Sequence, residues 1–442
     1  MINKTFVIRL VAALLILLFL LAVLAPLSGC RQGGPTGGDS GGVKQLSLAV
    51  NSGVEGDALK AAARDYEAQT GVRVQINEFP YNNLFEKELI DLQAATGAYD
   101  LIMLDDPWFP RFSTQGYLTD FTPLYEKKNL RGPDSDFVST SLALCREPYE
   151  TGTLHALPYV GNSQLFFYRR DLFEKHSLRP PATWDDVLAA ARTIHEREAS
   201  GAGGGRVNGY VMRAAQGNAV VADFMPIFWA FGAEMFDAEG RPTVNSSEGV
   251  AALKFMLELG KYAPPGYQSF NADEVSAHLL QGTAAMSINW PAWISAFSDP
   301  ARTKYVGLVE FGPMPGASKP GRAEIGNWLI AIPRASRNAE AAFDFLLWAT
   351  SAEQMKRSAL RGNPPTRKSV FTDAELLAKF PAYPAQLRSL ETSRPRPRTP
   401  LWNEIENAFG VFLSKANSGE LTPEDAMNQA NARIAEIVAR GR

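Results

Sequence analysis

Residues 44–106 read KQLSLAVNSGVEGDALKAAARDYEAQTGVRVQINEFPYNNLFEKELIDLQAATGAYDLIMLDD, and their periodicity decides the fold. KQLSLAV (44–50) alternates like a strand, and SGVEGDALKAAARDYEAQTG (52–71) has helical apolar spacing and ends in glycine. VRVQINEF (72–79) reads as a second strand, YNNLFEKELIDLQAATG (81–97) as a second helix and YDLIMLDD (99–106) as a third strand. This rhythm predicts right-handed βαβ units and a parallel sheet. Ligands of such sheets sit beyond the carboxyl ends of the strands. Glu55, just after the first strand, and Asp105 and Asp106, at the end of the third, then share one rim.

Ahead of this block, Lys4 and Arg9 flank an apolar stretch, Leu10 to Leu24, that ends in small residues at LSGC (27–30). A charged start, a short apolar run and a small-residue site predict an export signal over 1–29 rather than a spanning helix. LSGC resembles the lipobox of bacterial lipoproteins, which implies cleavage before Cys30 and lipid on its thiol. The other reading is an ordinary signal or anchor with a chance cysteine. RQGGPTGGDSGG (31–42) has nothing apolar to bury, so 30–42 reads as a flexible tether. The body from Val43 onward, about 400 residues, has room for roughly two to three domain-sized units. The net charge of −3 suggests no nucleic acid or other polyanion as partner. With Cys30 lipidated, Cys145 is the only thiol left of two, so no intrachain disulfide is expected.

Behind the block, LFFYR (165–169) reads as a strand. PPATWDDVLAAARTIHERE (180–198) reads as a helix opened by Thr183, with Asp186 in a box-like arrangement. SGAGGGRVNG (200–209) is expected to be a loop. Further helices are expected at 246–261, 273–280, 338–350 and 422–439, the last opened by Thr422 and Pro423.

Paired acids also describe a glycosidase. Asp105 and Asp106 are adjacent, so in a strand they point to opposite faces and cannot readily flank one bond. Glu55 and Asp105 could. There is no G-x-S-x-G or H-E-x-x-H, and His155, His176, His195 and His278 show no metal spacing. The motifs thus point to no catalytic residues, metal or cofactor, although sequence alone does not exclude a glycosidase built on Glu55 and Asp105.

Seven dispersed motifs, in order, resemble one family: FSTQGYLTDFTPL (112–124), LHALPY (154–159), FFYRRDLF (166–173), PPATWDDV (180–187), GTAAMSINWPAW (282–293), GNWLIAIPRASRNAEAAFDFL (326–346) and GNPPTRKSV (362–370). The chain from 44 to 440 is similar to the family one extracellular solute-binding proteins, sugar receptors of bacterial ABC importers. The D-x-x-W at Asp105–Trp108 and RPRTPLW (396–402) resemble the maltose/trehalose-type branch. The resemblance implies an α/β, two-lobed periplasmic-binding-protein-like fold (type II). It implies mixed, mostly parallel sheets flanked by helices, and a hinge that closes on ligand. Lobe one is placed at 43–156 plus 318–366, lobe two at 157–317 plus 367–442. A monomer, lipid-anchored outside the cytoplasm, would deliver a mono- or oligosaccharide to the transmembrane subunits of a permease.

A sugar presents a C–H face that packs on an aromatic ring and hydroxyls that need directed partners. By resemblance, Asp105 is the ligand-facing acid, Trp108 the aromatic of its pattern, Trp290 a stacking indole and Trp328 a second cleft aromatic from the other lobe. Glycine at 326 would let backbone approach the ligand. Each residue keeps a plainer reading: Asp105 as a strand end that orders its loop, Trp290 as core. Asp106 is expected to cap a helix starting at Pro107. Glu55 matches a ligand-contacting acid, or is a solvated first-turn glutamate favoured by the helix dipole. Tyr159 and Asn162 lie just beyond the first crossing, and the family often has aspartate near Asn162. Arg396 matches an arginine of the branch, but TSRPRPRTP (392–400) also reads as exposed polyproline with solvated charge. Trp229, Glu234 and Trp402 are secondary candidates, and Trp293 reads as packing. A polyamine is the rival ligand, with Glu55, Asp105 and Asp106 as its carboxylates.

Overall fold

The computed structural model describes residues 43–199 and 206–441. The leader, Cys30 with its tether, and 200–205 of the glycine loop lie outside them. In chain order the longer elements are β1 (Gln45–Asn51), α1 (Val54–Thr70), β2 (Arg73–Phe79), α2 (Tyr81–Ala94), β3 (Leu101–Asp105), β4 (Ala156–Val160) and β5 (Leu165–Arg169). They continue as α3 (Trp184–Arg197), α4 (Asn218–Ala230), α5 (Ser247–Gly260), α6 (Ala272–Gln281), β6 (Met286–Asn289), β7 (Val309–Gly312) and β8 (Trp328–Ala331). Last come α7 (Ala339–Ala349), α8 (Ala352–Leu360), α9 (Tyr383–Thr392), α10 (Trp402–Asn417) and α11 (Pro423–Arg440).

The first sheet runs β2-β1-β3-β8-β4, and the second β6-β5-β7. Among the strands of these two sheets, parallel pairing is confined to β1 with β2 and β1 with β3. β8 runs antiparallel to both β3 and β4, and the second sheet is antiparallel throughout. The sheets are thus mixed, and less parallel than the opening βαβ rhythm alone implies. β8 arrives from far along the chain and wedges between β3 and β4, which local periodicity does not report. Leu101 to Leu104 are fully buried, as helix-covered sheet strands are.

Two apolar clusters form. One joins the first sheet to α1, α2, α7 and α8, and reaches through Phe371, Phe380 and Tyr383 to Leu390 on α9. The other packs α3, α4, α5, α10 and α11 around Phe166, Met286 and Ile288 of the second sheet. The α3 start carries the Thr183–Asp186 capping box, and Thr422 caps α11 ahead of Pro423. Three segments run between the first sheet with its helices and the second sheet with its own: 161–164, 313–327 and 393–401. They are tied side by side, with Gly326 N–H donating to Asn162 O (2.9 Å), Gln164 N–H to Glu324 O (3.1 Å) and Ile325 N–H to Arg394 O (3.1 Å). Among the described residues, no helix is long and apolar enough to cross a membrane.

Helix α2 turns Glu88 into the core beside Leu84 and Leu92. Neither carboxyl oxygen of Glu88 has a partner. Burial, with the nearby Asp91 charge, holds this carboxyl well above the usual range. The folded protein therefore keeps a proton that the unfolded chain releases above about pH 4.3, so stability falls as pH rises. Glu88→Met is expected to stabilise the protein near pH 8 by about 1–3 kcal/mol, the cost of an unpartnered buried polar group, and by less near pH 5. Urea unfolding at both pH values checks this; an equal gain at both would mean the carboxyl is not held neutral.

Candidate functional site

The carboxyl ends of β1, β2 and β3 open onto a cavity of about 600 Å³. β1 contributes Asn51 and leads through Gly53 to Glu55 at the start of α1. β2 leads to Tyr81, Asn82 and Asn83 at the start of α2, and β3 ends in Asp105. The opposite wall holds Arg213, Asn218 at the start of α4, Asp273 at the start of α6, and Trp290 just past β6. Asn162, Gly326 and Arg396 enter from the three crossing segments, and Trp328 opens β8. Helices α1, α2 and α4 begin after Gly53, Pro80 and Gly217, none of which caps with a side chain. First-turn N–H groups at the cavity are thus left to donate to a ligand oxygen.

Asp105 is the best-held acid of the cavity. Arg396 grips it with two bonds, Nη2 to Oδ1 at 2.8 Å and Nη1 to Oδ2 at 3.1 Å, and Tyr81 Oη donates to Oδ2 at 2.8 Å. Each carboxylate oxygen accepts about two bonds, so Oδ1 keeps one position for a ligand donor. Trp328 pairs directly with Asp105 across the sheet. Its indole meets Trp108 and Tyr81 edge-on, both with centroids 5.9 Å away, and Tyr81 lies 4.9 Å from Trp108. Trp108 itself is buried behind this pair and does not line the cavity.

Asp106 departs from expectation. The strand ends at Asp105 and the chain turns at once into a short 3₁₀ helix, Asp106–Trp108, with no side-chain cap. Strand alternation therefore no longer separates the two acids, and Arg396 Nη2 reaches Asp106 Oδ2 as well, at 3.0 Å. Arg398 adds Nη1 to Asp106 Oδ1 at 3.2 Å and to its carbonyl at 2.7 Å. Burial raises the Asp106 carboxyl, Arg396 pulls it down, Asp105 pushes it up and Arg398 opposes. The exposed-polyproline reading of 392–400 fails for the same reason: Arg396 is 2 % exposed and wedged among Asp105, Asp106 and Glu324.

Gly326 also serves another purpose than expected. A Cβ there would lie 2.6 Å from Cη2 and 2.8 Å from Cζ3 of Trp290, so its missing side chain makes room for that indole. The indole has the Arg213 guanidinium over it, 5.1 Å from the ring centroid. Arg213 is held by Asp223, Nε to Oδ1 at 2.7 Å and N–H to Oδ2 at 2.8 Å.

Buried polar atoms along this wall are left without partners: Arg213 Nη2, Asn162 Oδ1 and Asn51 Oδ1. Such groups carry a cost that a ligand can relieve. Glu55 is half-buried and receives Asn162 Nδ2 at 3.4 Å. Loss of solvent pushes its pKa to about 7; its own backbone N–H and Asn162 lower it, and the Asp105 and Asp273 charges raise it.

The structure thus brings Glu55, Asp105, Asn162, Trp290, Trp328 and Arg396 into one cavity, together with Trp293, which sequence assigned to packing. Tyr159 is not among its lining: it is fully buried in β4 with its hydroxyl 3.4 Å from that of Ser358. Trp229 and Trp402 are core residues of the second cluster, and Glu234 is an ion-pair partner of Arg394 away from the cavity. Sequence reasoning missed Tyr81, Asn82 and Asn83, although FPYNN follows β2 just as Glu55 follows β1. It also missed Arg213 and Asp273, whose approach is a matter of tertiary placement.

Compared with known proteins, the chain is 28% identical over 408 residues to a probable amino-acid ABC transporter periplasmic-binding protein of Sinorhizobium fredii, covering 90% of each chain. Among solved structures it is similar to an ABC transporter solute-binding protein of Agrobacterium radiobacter K84 in complex with ribitol (TM-score 0.83, 27% identity, 90% of this chain and 99% of that one). It is also similar to maltose-bound MalE3 of T. maritima (TM-score 0.80, 25% identity, 88% and 98%). These neighbours are two-lobed binding proteins, as the paired sheets and crossing segments here already indicate. Residues 51–356 match the family model described as bacterial extracellular solute-binding protein, and the chain belongs to that family.

Proposed function

We propose that this protein is the receptor of an ABC importer for a neutral, hydroxyl-rich solute, a mono- or oligosaccharide or the corresponding alditol. One observation carries the reading: unpartnered donor and acceptor atoms, Arg213 Nη2, Asn162 Oδ1 and Asn51 Oδ1, share a cavity with the indoles of Trp290 and Trp328. Hydroxyls donate and accept, so a polyol satisfies both kinds of atom, while its C–H face covers an indole. A plain polyamine offers no acceptor to Arg213. The ribitol and maltose complexes of the two similar structures support the same class.

Affinity needs both walls. A micromolar receptor requires about −8 kcal/mol, and each stacking contact gives roughly 0.5–1.5 kcal/mol beyond its area. Hydrogen bonds from both lobes must supply the rest, which couples closure to capture. The lobes depart from the sequence division in one stretch, because Phe371, Phe380, Tyr383 and Leu390 pack with the first sheet although 367–442 was expected in lobe two, and 161–164, 313–327 and 393–401 serve as the hinge. Delivery is to the permease subunits, by a monomer held outside the cytoplasm through lipid on Cys30. The solute is expected to leave chemically unchanged, because Asp105, the acid that shares the strand-end rim with Glu55, is committed to Arg396 and Tyr81.

Calorimetry against sugars, their alditols, putrescine and spermidine tests the reading. Micromolar binding of at least one hydroxylated solute is expected, with the polyamines weaker. Binding of the polyamines alone would overturn it, and turnover of an aryl glycoside lost on Glu55→Gln would make the protein an enzyme.

A further inference from the structure

The polar groups of the cavity are distributed unevenly. Both arginines in its wall are spent on acids, Arg213 on Asp223 and Arg396 on Asp105 and Asp106. One corner of the lining gathers acidic and amide side chains and has no basic side chain besides these two arginines to draw on. Glu55 stands there at the start of α1, and the charges that bear on it, Asp105 and Asp273, are both negative. Asp273 feels the negative charge of Glu274 in turn. Beside Glu55, Asn162 is 2 % exposed; its Nδ2 donates to the carboxyl and its Oδ1 is left without any donor. Asn51 Oδ1, also unpartnered, lines the same side of the first sheet.

A neutral hydroxyl brings one donor to such a corner, whereas a primary ammonium brings three and supplies the missing positive charge. Among the described residues, no group of three or more His, Cys, Asp or Glu could hold a metal ion, so an organic cation suits the corner better than an inorganic one. The same cavity still requires an acceptor for Arg213 Nη2 and a C–H face for Trp290, which excludes a bare alkylamine as the best fit.

We infer that Glu55, Asn162 and Asp273 form an ammonium subsite, and that the preferred solute is a hydroxyl-rich molecule carrying one primary amine, an amino sugar or aminoalditol. This rests on the hydroxyl-binding reading above and narrows it. The amine anchors one end by a charge-assisted bond to Glu55, while the hydroxyls span toward Asp105 and Arg213.

Calorimetry at neutral pH with matched pairs tests it: glucosamine against glucose, and 1-amino-1-deoxysorbitol against sorbitol, with N-acetylglucosamine as the uncharged control. The amine of at least one pair is expected to bind about tenfold or more tighter than its parent, as a charge-assisted bond allows. Acetylation should abolish the gain, and raised salt should shrink it. Glu55→Gln is expected to bring the ratio within a pair close to one, and Asp273→Asn, at an exposed position, to lower it in the same direction. Parents that bind with amines no tighter would overturn the subsite and leave the hydroxyl reading standing. If no member of any pair binds while another sugar or alditol does, the subsite falls alone, and if no hydroxylated solute binds, both fall.

Discussion

Arg396→Gln is expected to lower the unfolding free energy by about 3–5 kcal/mol, the usual cost of removing one partner from a buried ion pair. Among the described residues, Arg396 is the only side chain that bonds both Asp105 and Asp106, and it lies within 3.6 Å of Glu324 as well. Its loss leaves these acids buried without their common counter-charge. Desolvation already pushes Glu324 to about 8, with Arg396 the main force against it. In the variant the orphaned acids can take up protons, so the deficit should shrink as pH falls from about 8 to about 5. Lysine at 396 should recover only part of the loss, because one ammonium cannot reproduce a two-pronged grip. Urea unfolding of wild type, Arg396→Gln and Arg396→Lys at the two pH values reads all three effects. An unchanged midpoint for Arg396→Gln would mean that Arg398 alone holds the cluster. The same substitution should weaken solute binding, since Asp105 loses the contacts that aim it.

The second large effect concerns the indole that Gly326 accommodates. Trp290→Ala is expected to cost about 2 kcal/mol or more of binding free energy if the ring stacks on the solute. Gly326→Ala should cost a comparable amount without touching a polar contact, because its Cβ would occupy the space of Cη2 and Cζ3. Those atoms are the far end of the ring, so the indole can swing aside and the fold should survive with a near-normal melting temperature. The two losses should not add, because both remove the same contact. Calorimetry on the two single variants and the double variant checks this. Wild-type affinity in Gly326→Ala would take the indole out of the binding surface.

Much of this was legible in sequence, and the reason is local. The helices and the first three strands were readable because their periodicity and caps are local signals; Thr183 with Asp186 and Thr422 with Pro423 mark helix starts whatever packs on them. Glu55 and Asp105 were placed on one rim because β1 and β3 are parallel neighbours, and parallel strands put their carboxyl ends together. The same rule applied to β2 would have found Tyr81, whose hydroxyl holds Asp105.

What failed depended on partners distant along the chain. Asp106 looked like a cap because its sequence neighbour is Pro107, whereas its partners are Arg396 and Arg398, nearly 300 residues on. Arg396 looked exposed because proline flanks it on both sides. A local pattern states what backbone a segment prefers and is silent on which buried charge will meet it. Tyr159 had the right chain position for the cavity, but its side chain went beneath the sheet to Ser358.

By itself the sequence determined an α/β chain and pointed to its strand ends and tryptophans as the place to look for a binding surface, because hydrophobic period and caps act within a few residues. Only the tertiary structure decided that β8 enters antiparallel between β3 and β4, that Arg396 neutralises the acids at the end of β3, and that Gly326 exists to seat Trp290. Burial is what made the difference. Removing charges from water forces each to find a counter-charge wherever the fold brings one, and no local pattern encodes that meeting.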